Sequence, residues 1–147
     1  MKWNKTVGIV FFVLWSLAPC FGHHIAVVVN KANSTDTITS AHLAQLFRAE
    51  TKKWPDGGSV VLVIDRSSSG QMATLQKLNH MSTAELKGFL AAHVEDIKQL
   101  NSDADVIHFV QSNPGAIGLI EVRSVDNRVR VVKVDNKLPL EEGYLSH

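Results

Sequence analysis

The segment that decides the fold of this chain reads Val60-Val61-Leu62-Val63-Ile64-Asp65-Arg66-Ser67-Ser68-Ser69-Gly70-Gln71. Its first five residues are apolar and mostly β-branched, which predicts a buried strand. The polar residues that follow predict a loop, and a helix is expected to begin at Ser69 or Gly70. Buried strands that alternate with helices are typical of α/β proteins, in which helices cover a central sheet.

The same loop has the composition of an anion-binding site. The N-terminus of a helix offers free N–H groups and the positive end of the helix dipole. Arg66 adds a planar fork of donors that suits phosphate, sulfate or carboxylate. The predicted ligand-binding residues are Arg66, Ser67, Ser68, Ser69, Gly70 and Gln71. The alternative is a structural loop, in which the serines form an N-cap and turn and Arg66 pairs with a surface acid.

Apolar runs and helical spacings predict further elements on both sides of this segment. Strands are expected at Ile25–Val29, Ala116–Ile120 and Val129–Val134. Helices are expected from a cap at Ser40 through Phe47, from about Ser69 to Asn79, from a capping box at Ser82 through Ile97, and from about Asp103 to Ser112. Trp54 is expected to anchor its loop over the core. The order predicts a mainly parallel sheet with helices on both faces.

The first 22 residues have the pattern of a secretory signal peptide. Lys2 and Lys5 precede the apolar run Val7–Leu17, which is short for a membrane span and is followed by small residues. The alternatives are a retained membrane anchor and a lipid attached to Cys20. Cleavage after residue 22 predicts a periplasmic or secreted mature chain that does not span a membrane.

Composition narrows the functional classes. The chain has 15 Lys and Arg against 14 Asp and Glu, and loss of Lys2 and Lys5 brings the net charge from +1 to −1. A nearly neutral chain without a basic block argues against nucleic-acid binding. Cys20 is the only cysteine, so the mature chain would have no disulfide.

Motifs for catalysis and metal binding are not discernible in the sequence. We find no nucleophile–base–acid set, so the chain is predicted not to be an enzyme. The histidines are scattered, which predicts no metal site and no cofactor. One alternative is copper at a mature N-terminus beginning with His23, whose free amine and imidazole could chelate the ion.

Four pieces of the chain, in this order, resemble the phosphate-type periplasmic substrate-binding proteins. They are Leu43–Phe47 followed by Lys53–Gly57, Val61–Arg66 with the serines, the helix after them, and Asn113–Leu119. The resemblance runs from about Ile25 to Asp135. It implies a three-layer α/β/α fold that forms one lobe of a type 2 periplasmic-binding-protein-like fold, with a mainly parallel sheet. The domain is placed at residues 23–136, and the polar tail 137–147 is expected to be weakly ordered.

The resemblance also implies a function, which is recognition of a small oxyanion, phosphate above all, with sulfate as the second candidate. Arg66, Ser69 and Gly70 correspond to the anion-contacting Arg, Ser and Gly of the family, whereas Gln71 replaces a Thr. The family has two lobes around its ligand, and this chain matches only the second. Weak binding and a membrane transporter or sensor partner are therefore expected. The alternative is a protein-interaction module that keeps the fold without ligand binding.

Overall fold

The computed structural model describes residues 24–145. The predicted signal peptide, the lipid site at Cys20 and the copper site at His23 lie outside the described residues. The strands are β1 Ile25–Val29, β2 Thr37–Ile38, β3 Val61–Asp65, β4 Ile97–Leu100, β5 Ala116–Glu121, β6 Arg130–Val131 and β7 Lys133–Val134. The α-helices are α1 Ser40–Phe47, α2 Ser69–Asn79, α3 Thr83–Ala92 and α4 Asp103–Ser112, and a 3₁₀ turn spans Val122–Ser124.

The central sheet has the strand order β4-β3-β5-β1-β6. Strand β3 pairs in parallel with β4 and with β5. Strand β1 pairs antiparallel with β5 and with β6, so four of the five strands run in one direction and β1 opposes them. The expectation of a mainly parallel sheet that contains β1, β3 and β5 is confirmed. Strands β2 and β7 form a separate parallel pair.

Both faces of the central sheet are covered by helices. On one face, alternate strand residues such as Val27, Ile64 and Leu119 pack with apolar side chains of α1, α2 and α3. On the other face, Val63 and Ile120 pack against α4. Because a strand directs successive side chains to opposite faces, strands apolar at every position suit a three-layer α/β/α fold. The predicted fold class is confirmed.

The helices begin at hydroxyl caps. Ser82 Oγ accepts a hydrogen bond from Glu85 N at 3.1 Å, which confirms the predicted start of α3. Helix α1 is capped by Thr39, whose Oγ1 accepts from His42 N at 3.1 Å. The prediction of Ser40 as that cap is therefore wrong by one residue.

The predicted helix from Ser82 through Ile97 is wrong beyond Ala92. Helix α3 ends at Ala92, Val94 is 62% exposed, and the chain turns at His93 into strand β4. Ile97 is buried in that strand, where it lies opposite Leu62. The apolar spacing therefore does not mark one long helix. Leu90 packs in the core from α3, whereas Ile97 packs in the same core from β4.

The predicted strand Val129–Val134 is two strands. Strand β6 pairs with β1 in the central sheet, whereas β7 pairs with β2. Val132 lies between them, and its N–H donates to Val27 O at 2.9 Å. The segment therefore passes from one sheet to the other at Val132.

The turn Asn113-Pro114-Gly115 ties β5 to the start of β3. The carbonyl oxygen of Gly115 accepts hydrogen bonds from Val61 N and from Trp54 Nε1, each at 3.0 Å. A Cβ atom on Gly115 would lie 2.1 Å from Ser59 O, so only glycine fits this close approach. The predicted anchoring role of Trp54 is confirmed, because its side chain is buried and holds this turn.

The C-terminal segment contributes to the core through Tyr144. Its hydroxyl accepts from Val27 N and donates to Val132 O, both at 2.9 Å. The Tyr144 side chain is buried, and that burial raises its pKa to about 12. The expectation of a weakly ordered tail is wrong at this residue, while the domain boundary at residue 136 stays a prediction.

Candidate functional site

The predicted anion loop lies at the edge of the sheet where β3, β4 and β5 end. Because the three strands are parallel, the loops that follow Asp65, Leu100 and Glu121 meet at this edge. Helices α2 and α4 both begin there. Ligand sites of open α/β sheets occur beyond the carboxyl ends of the strands.

Ser68 forms the N-cap of α2. Its Oγ accepts from Gln71 N at 3.2 Å, and its own N–H donates to Asp65 O at 3.2 Å. The residue is buried. This arrangement matches the structural alternative for the serines at this one position.

Ser67 is held by Asp65. Oδ1 of Asp65 accepts from Ser67 N at 2.9 Å, and Ser67 Oγ lies 2.6 Å from the same oxygen and 3.0 Å from Asn101 O. Asp65 itself is buried. A carboxylate of the protein therefore already occupies donors of Ser67 that a bound anion would use.

Gln71 is fully buried and joins the loop to α4. Its Oε1 accepts from Asp65 N at 2.8 Å, and its Nε2 donates to Asp103 Oδ1 at 3.0 Å. The Gln71 backbone N–H is occupied by the Ser68 cap. Gln71 thus supports the loop from inside the fold.

Asp103, which the sequence analysis missed, is the centre of this network. Its Oδ2 accepts from Glu121 N at 3.0 Å and from Ser124 Oγ at 2.8 Å. The pKa of Asp103 is raised, chiefly by its burial and also by the charges of Asp65 and Glu121, whereas the hydrogen bonds from Ser124 and from Glu121 N lower it. The network ties the ends of β3 and β5 to the start of α4.

Arg66 lies on the outside of the loop. Its N–H donates to Leu100 O at 2.9 Å, and its side chain is exposed. No ion pair of the Arg66 guanidinium occurs with any residue from 24 to 145. Its charge therefore remains available at this edge of the sheet.

Ser69 and Gly70 form the first turn of α2. Their backbone N–H groups, together with the hydroxyl of Ser69, have no hydrogen-bond partner among residues 24–145, as expected for the first turn of a helix. Gly70 O accepts from Thr74 Oγ1 at 2.9 Å. Both residues line a cavity of about 840 Å³ between α1 and α2, which we call the α1–α2 groove.

The α1–α2 groove follows both helices and is closed on one side by the C-terminal segment. Its lining includes Ala44 and Arg48 at α1, Ser69, Ala73 and Lys77 from α2, and Tyr144. The Arg48 guanidinium is paired with Glu50, with Nε 3.0 Å from Oε1. The groove is thus a cleft on one face of the domain that reaches the start of α2.

The structure therefore brings the six predicted residues together but divides their roles. Arg66 and Ser69 are exposed and Gly70 is buried, and each has a donor without a partner among residues 24–145, whereas the side chains of Ser67, Ser68 and Gln71 are engaged within the protein. Asp103 and Ser124 could not be found from local spacing. Their proximity depends on β4, which was not predicted and whose first residue, Ile97, was assigned to the end of a helix.

Comparisons with known proteins agree with this architecture. The sequence profile of a family described as the PBP superfamily domain matches residues 19–146. An ABC-type phosphate transport receptor from Vibrio cholerae is 21% identical, with a TM-score of 0.63 over 79% of this chain and 48% of that chain. A proposed phosphate ABC transporter substrate-binding protein from Clostridium perfringens, solved with bound phosphate, is 22% identical, with a TM-score of 0.66 over 79% and 46%. PstS from Borrelia burgdorferi is 19% identical, with a TM-score of 0.61 over 79% and 49%.

These likenesses show the fold, and the chain spans about half the length of the structures it matches. Among residues 24–145, no helix is both long and apolar enough to cross a bilayer.

Proposed function

Since this chain belongs to the family of PBP superfamily domains, we propose that it is a binding module that takes a small oxyanion, phosphate in preference to sulfate. The observation that carries the proposal is the pair of unpartnered N–H groups of Ser69 and Gly70 at the start of α2, beside the uncompensated charge of Arg66. Oriented N–H groups at a helix N-terminus favour anions. The phosphate transport receptor from Vibrio cholerae and the phosphate-bound protein from Clostridium perfringens, which have the same fold, support the choice of ligand.

The six loop residues have different roles in this proposal. Arg66 supplies charge and paired donors, Ser69 supplies a hydroxyl, and Ser69 and Gly70 supply backbone N–H groups. Ser67, Ser68 and Gln71 hold these donors in place through Asp65 and the helix cap. Donors that are oriented before binding lose less entropy when the ligand arrives.

Binding by one lobe alone is weak in this proposal. Each charge-assisted hydrogen bond contributes about 1.5–3 kcal/mol, and the lack of roughly three from an opposing lobe would reduce affinity about a thousandfold. We also propose that loss of residues 1–22 leaves the module in the periplasm or outside the cell. The module is proposed to have no enzymatic activity. A membrane transporter or sensor, or a second copy, would complete the site.

Isothermal titration calorimetry of residues 23–147 with phosphate, sulfate and chloride tests the proposal. The expected result is saturable phosphate binding at millimolar concentration, weaker sulfate binding and no saturable response to chloride. The absence of saturable phosphate binding up to several millimolar would refute oxyanion recognition by this chain.

A second candidate function is a protein-interaction module that has kept the fold without the ligand. The observation that favours it is that Asp65 already occupies the donors of Ser67. Leu138 and Leu140 also expose apolar side chains, at 48% and 69%. Failure of phosphate and sulfate to bind, with the fold intact, would favour this candidate.

A further inference from the structure

Residues 138–145, which we call the latch, are held to the rest of the domain at few points. Within the described range 24–145, the hydrogen bonds that join the latch to the rest of the chain are both made by the hydroxyl of Tyr144. This hydroxyl accepts from Val27 N and donates to Val132 O, each at 2.9 Å. The other hydrogen bonds of the latch lie within it. One side chain therefore accounts for the hydrogen bonding that keeps the latch closed.

Little of the latch is buried. Leu138 and Leu140 are exposed, whereas Tyr144 is buried and Leu145 packs partly against the core. Segments with few buried apolar contacts open at a lower free energy than the core of the same domain. The latch thus has the features of a unit that can open while the central sheet stays intact.

A turn that is fixed to the domain lies just before the latch. Asp135 and Asn136 have φ angles of 51° and 64°, which places both in the left-handed region. The N–H of Asp135 donates to Ile38 O at 2.9 Å, and its Oδ1 accepts from Ser40 N at 3.0 Å. These bonds hold the turn on β2 and α1, so motion of the latch would begin beyond it.

The closed latch carries backbone strain on both sides of Tyr144. Gly143 has a φ of 85°, and Leu145 has a φ of 49°. Glycine adopts the left-handed region without penalty, whereas a bulky residue such as Leu145 is strained there. Opening of the latch would release this strain.

The latch also forms part of the α1–α2 groove. Pro139, Tyr144 and Leu145 line the groove, as does Ile25 of β1. Ile25 is 4% exposed, and the Tyr144 hydroxyl covers the edge of the same strand at Val27. Departure of the latch would therefore join the groove to the edge of β1.

We propose that the latch opens as a unit about the turn at Asp135 and Asn136 while the rest of the domain stays folded, and that it controls access from the α1–α2 groove to the edge of β1. Tyr144 is the residue that holds it closed. This inference does not depend on the proposed function, because it involves no anion.

Amide hydrogen exchange of residues 23–147, followed by NMR in increasing low concentrations of urea, tests the proposal. The N–H of Val27 reports opening of the latch, because its partner is the Tyr144 hydroxyl. Ala26 is the matched reference, since it lies opposite Ile120 of β5 and successive amides of a strand point to opposite neighbours. Exchange at Val27 should hardly change with urea, because opening exposes little surface, whereas exchange at Ala26 should rise steeply. The same urea dependence at both amides would overturn the proposal.

Two glycine variants locate the opening. Gly143 and Gly57 both have positive φ angles, 85° and 91°, so alanine at either position strains the folded chain. A Cβ at Gly57 meets no atom within 4 Å, and one at Gly143 meets the flexible end of the Lys137 side chain, which can move aside. The strain should correspond to about a tenfold change in an opening equilibrium.

The two variants should differ at Val27 alone. Opening of the latch releases the strain of Gly143→Ala but not that of Gly57→Ala, whereas global unfolding releases both. Gly143→Ala should therefore speed exchange about tenfold at both Val27 and Ala26, and Gly57→Ala should speed it at Ala26 only. Faster exchange of Val27 in Gly57→Ala, or unchanged exchange of Val27 in Gly143→Ala, would overturn the proposal.

Discussion

The loop after β3 has two sides that differ in how their polar groups are used. The inner side comprises Asp65, Ser67, Ser68 and Gln71, and the outer side comprises Arg66, Ser69 and Gly70. On the inner side, each side chain is hydrogen-bonded within the protein. On the outer side, the Arg66 side chain and two backbone N–H groups have no partner among residues 24–145.

Within these seven consecutive residues, some changes should therefore affect the stability of the fold and others the binding of a ligand. Asp65, Ser68 and Gln71 on the inner side are buried, so a change that removes a hydrogen-bond partner of any of them should destabilise the fold. Arg66 and Ser69 are exposed and their free donors contribute little to folding, so changes at these two residues should affect ligand binding and leave stability nearly unchanged. The following predictions test that division.

The largest effect is expected for Gln71→Leu. Leucine leaves the buried N–H of Asp65 and one oxygen of Asp103 without their partner. We expect a loss of about 2–4 kcal/mol in the free energy of unfolding, measured by urea denaturation. Gln111→Leu, at an exposed position on α4, is the control and should change stability by less than about 0.5 kcal/mol. Equal stability of Gln71→Leu and the wild type would contradict the stabilising role assigned to the inner side of the loop.

Arg66→Ala should reduce phosphate affinity by more than tenfold, because it removes the only charged donor of the loop. The free energy of unfolding should change by less than about 0.5 kcal/mol, since the side chain is exposed. Calorimetry and urea denaturation measure the two effects. An unchanged phosphate affinity would assign the loop a structural role.

Ser69→Ala should weaken phosphate binding by about 1–2 kcal/mol, because one neutral donor is lost while the backbone donors remain. The inner counterpart, Ser67→Ala, removes a hydroxyl bonded to Asp65 and should lower stability. Phosphate titration and urea denaturation of both variants measure the change in affinity and the change in stability for each serine. A greater loss of phosphate binding in Ser67→Ala than in Ser69→Ala would contradict the assignment of Ser67 to stability and Ser69 to binding.

The smallest effect is a pH dependence of stability from Asp103. Because its pKa is raised in the folded state, the folded chain holds this proton more tightly than the unfolded chain. Its contribution to stability is therefore largest below the unfolded pKa of about 3.8 and declines as pH rises through the folded value. Denaturation at several pH values should show Asp103→Asn gaining stability relative to the wild type as pH rises through this window. A stability difference between Asp103→Asn and the wild type that does not change with pH would exclude this contribution of Asp103.

The interpretation from sequence succeeded where local chemistry dominates. Val61–Ile64 is apolar and mostly β-branched, which favours a strand in any compatible fold, and Ser82 caps a helix through a contact only three residues away. It failed at Ile97–Leu100, because Ile97 continues the apolar spacing of α3. Only pairing with β3 distinguishes this segment as a strand.

The error at β4 also hid part of the candidate site. Without β4, nothing in the sequence places the start of α4 beside the start of α2. Asp103 then resembles any acidic residue in the first turn of a helix. The contact of Gln71 Nε2 with Asp103 joins residues 32 positions apart. Likewise, the hydroxyl of Tyr144 reaches Val27 N across 117 positions.

Sequence alone determined the α/β class, the strand–loop–helix unit around Arg66 and the candidate residues of the loop, because these depend on interactions between near neighbours. The tertiary structure decided which of those residues keep free donors. Whether a serine or glutamine is free or engaged depends on which distant carboxylate or carbonyl reaches it, and that proximity arises only when the parallel strands bring their ends together.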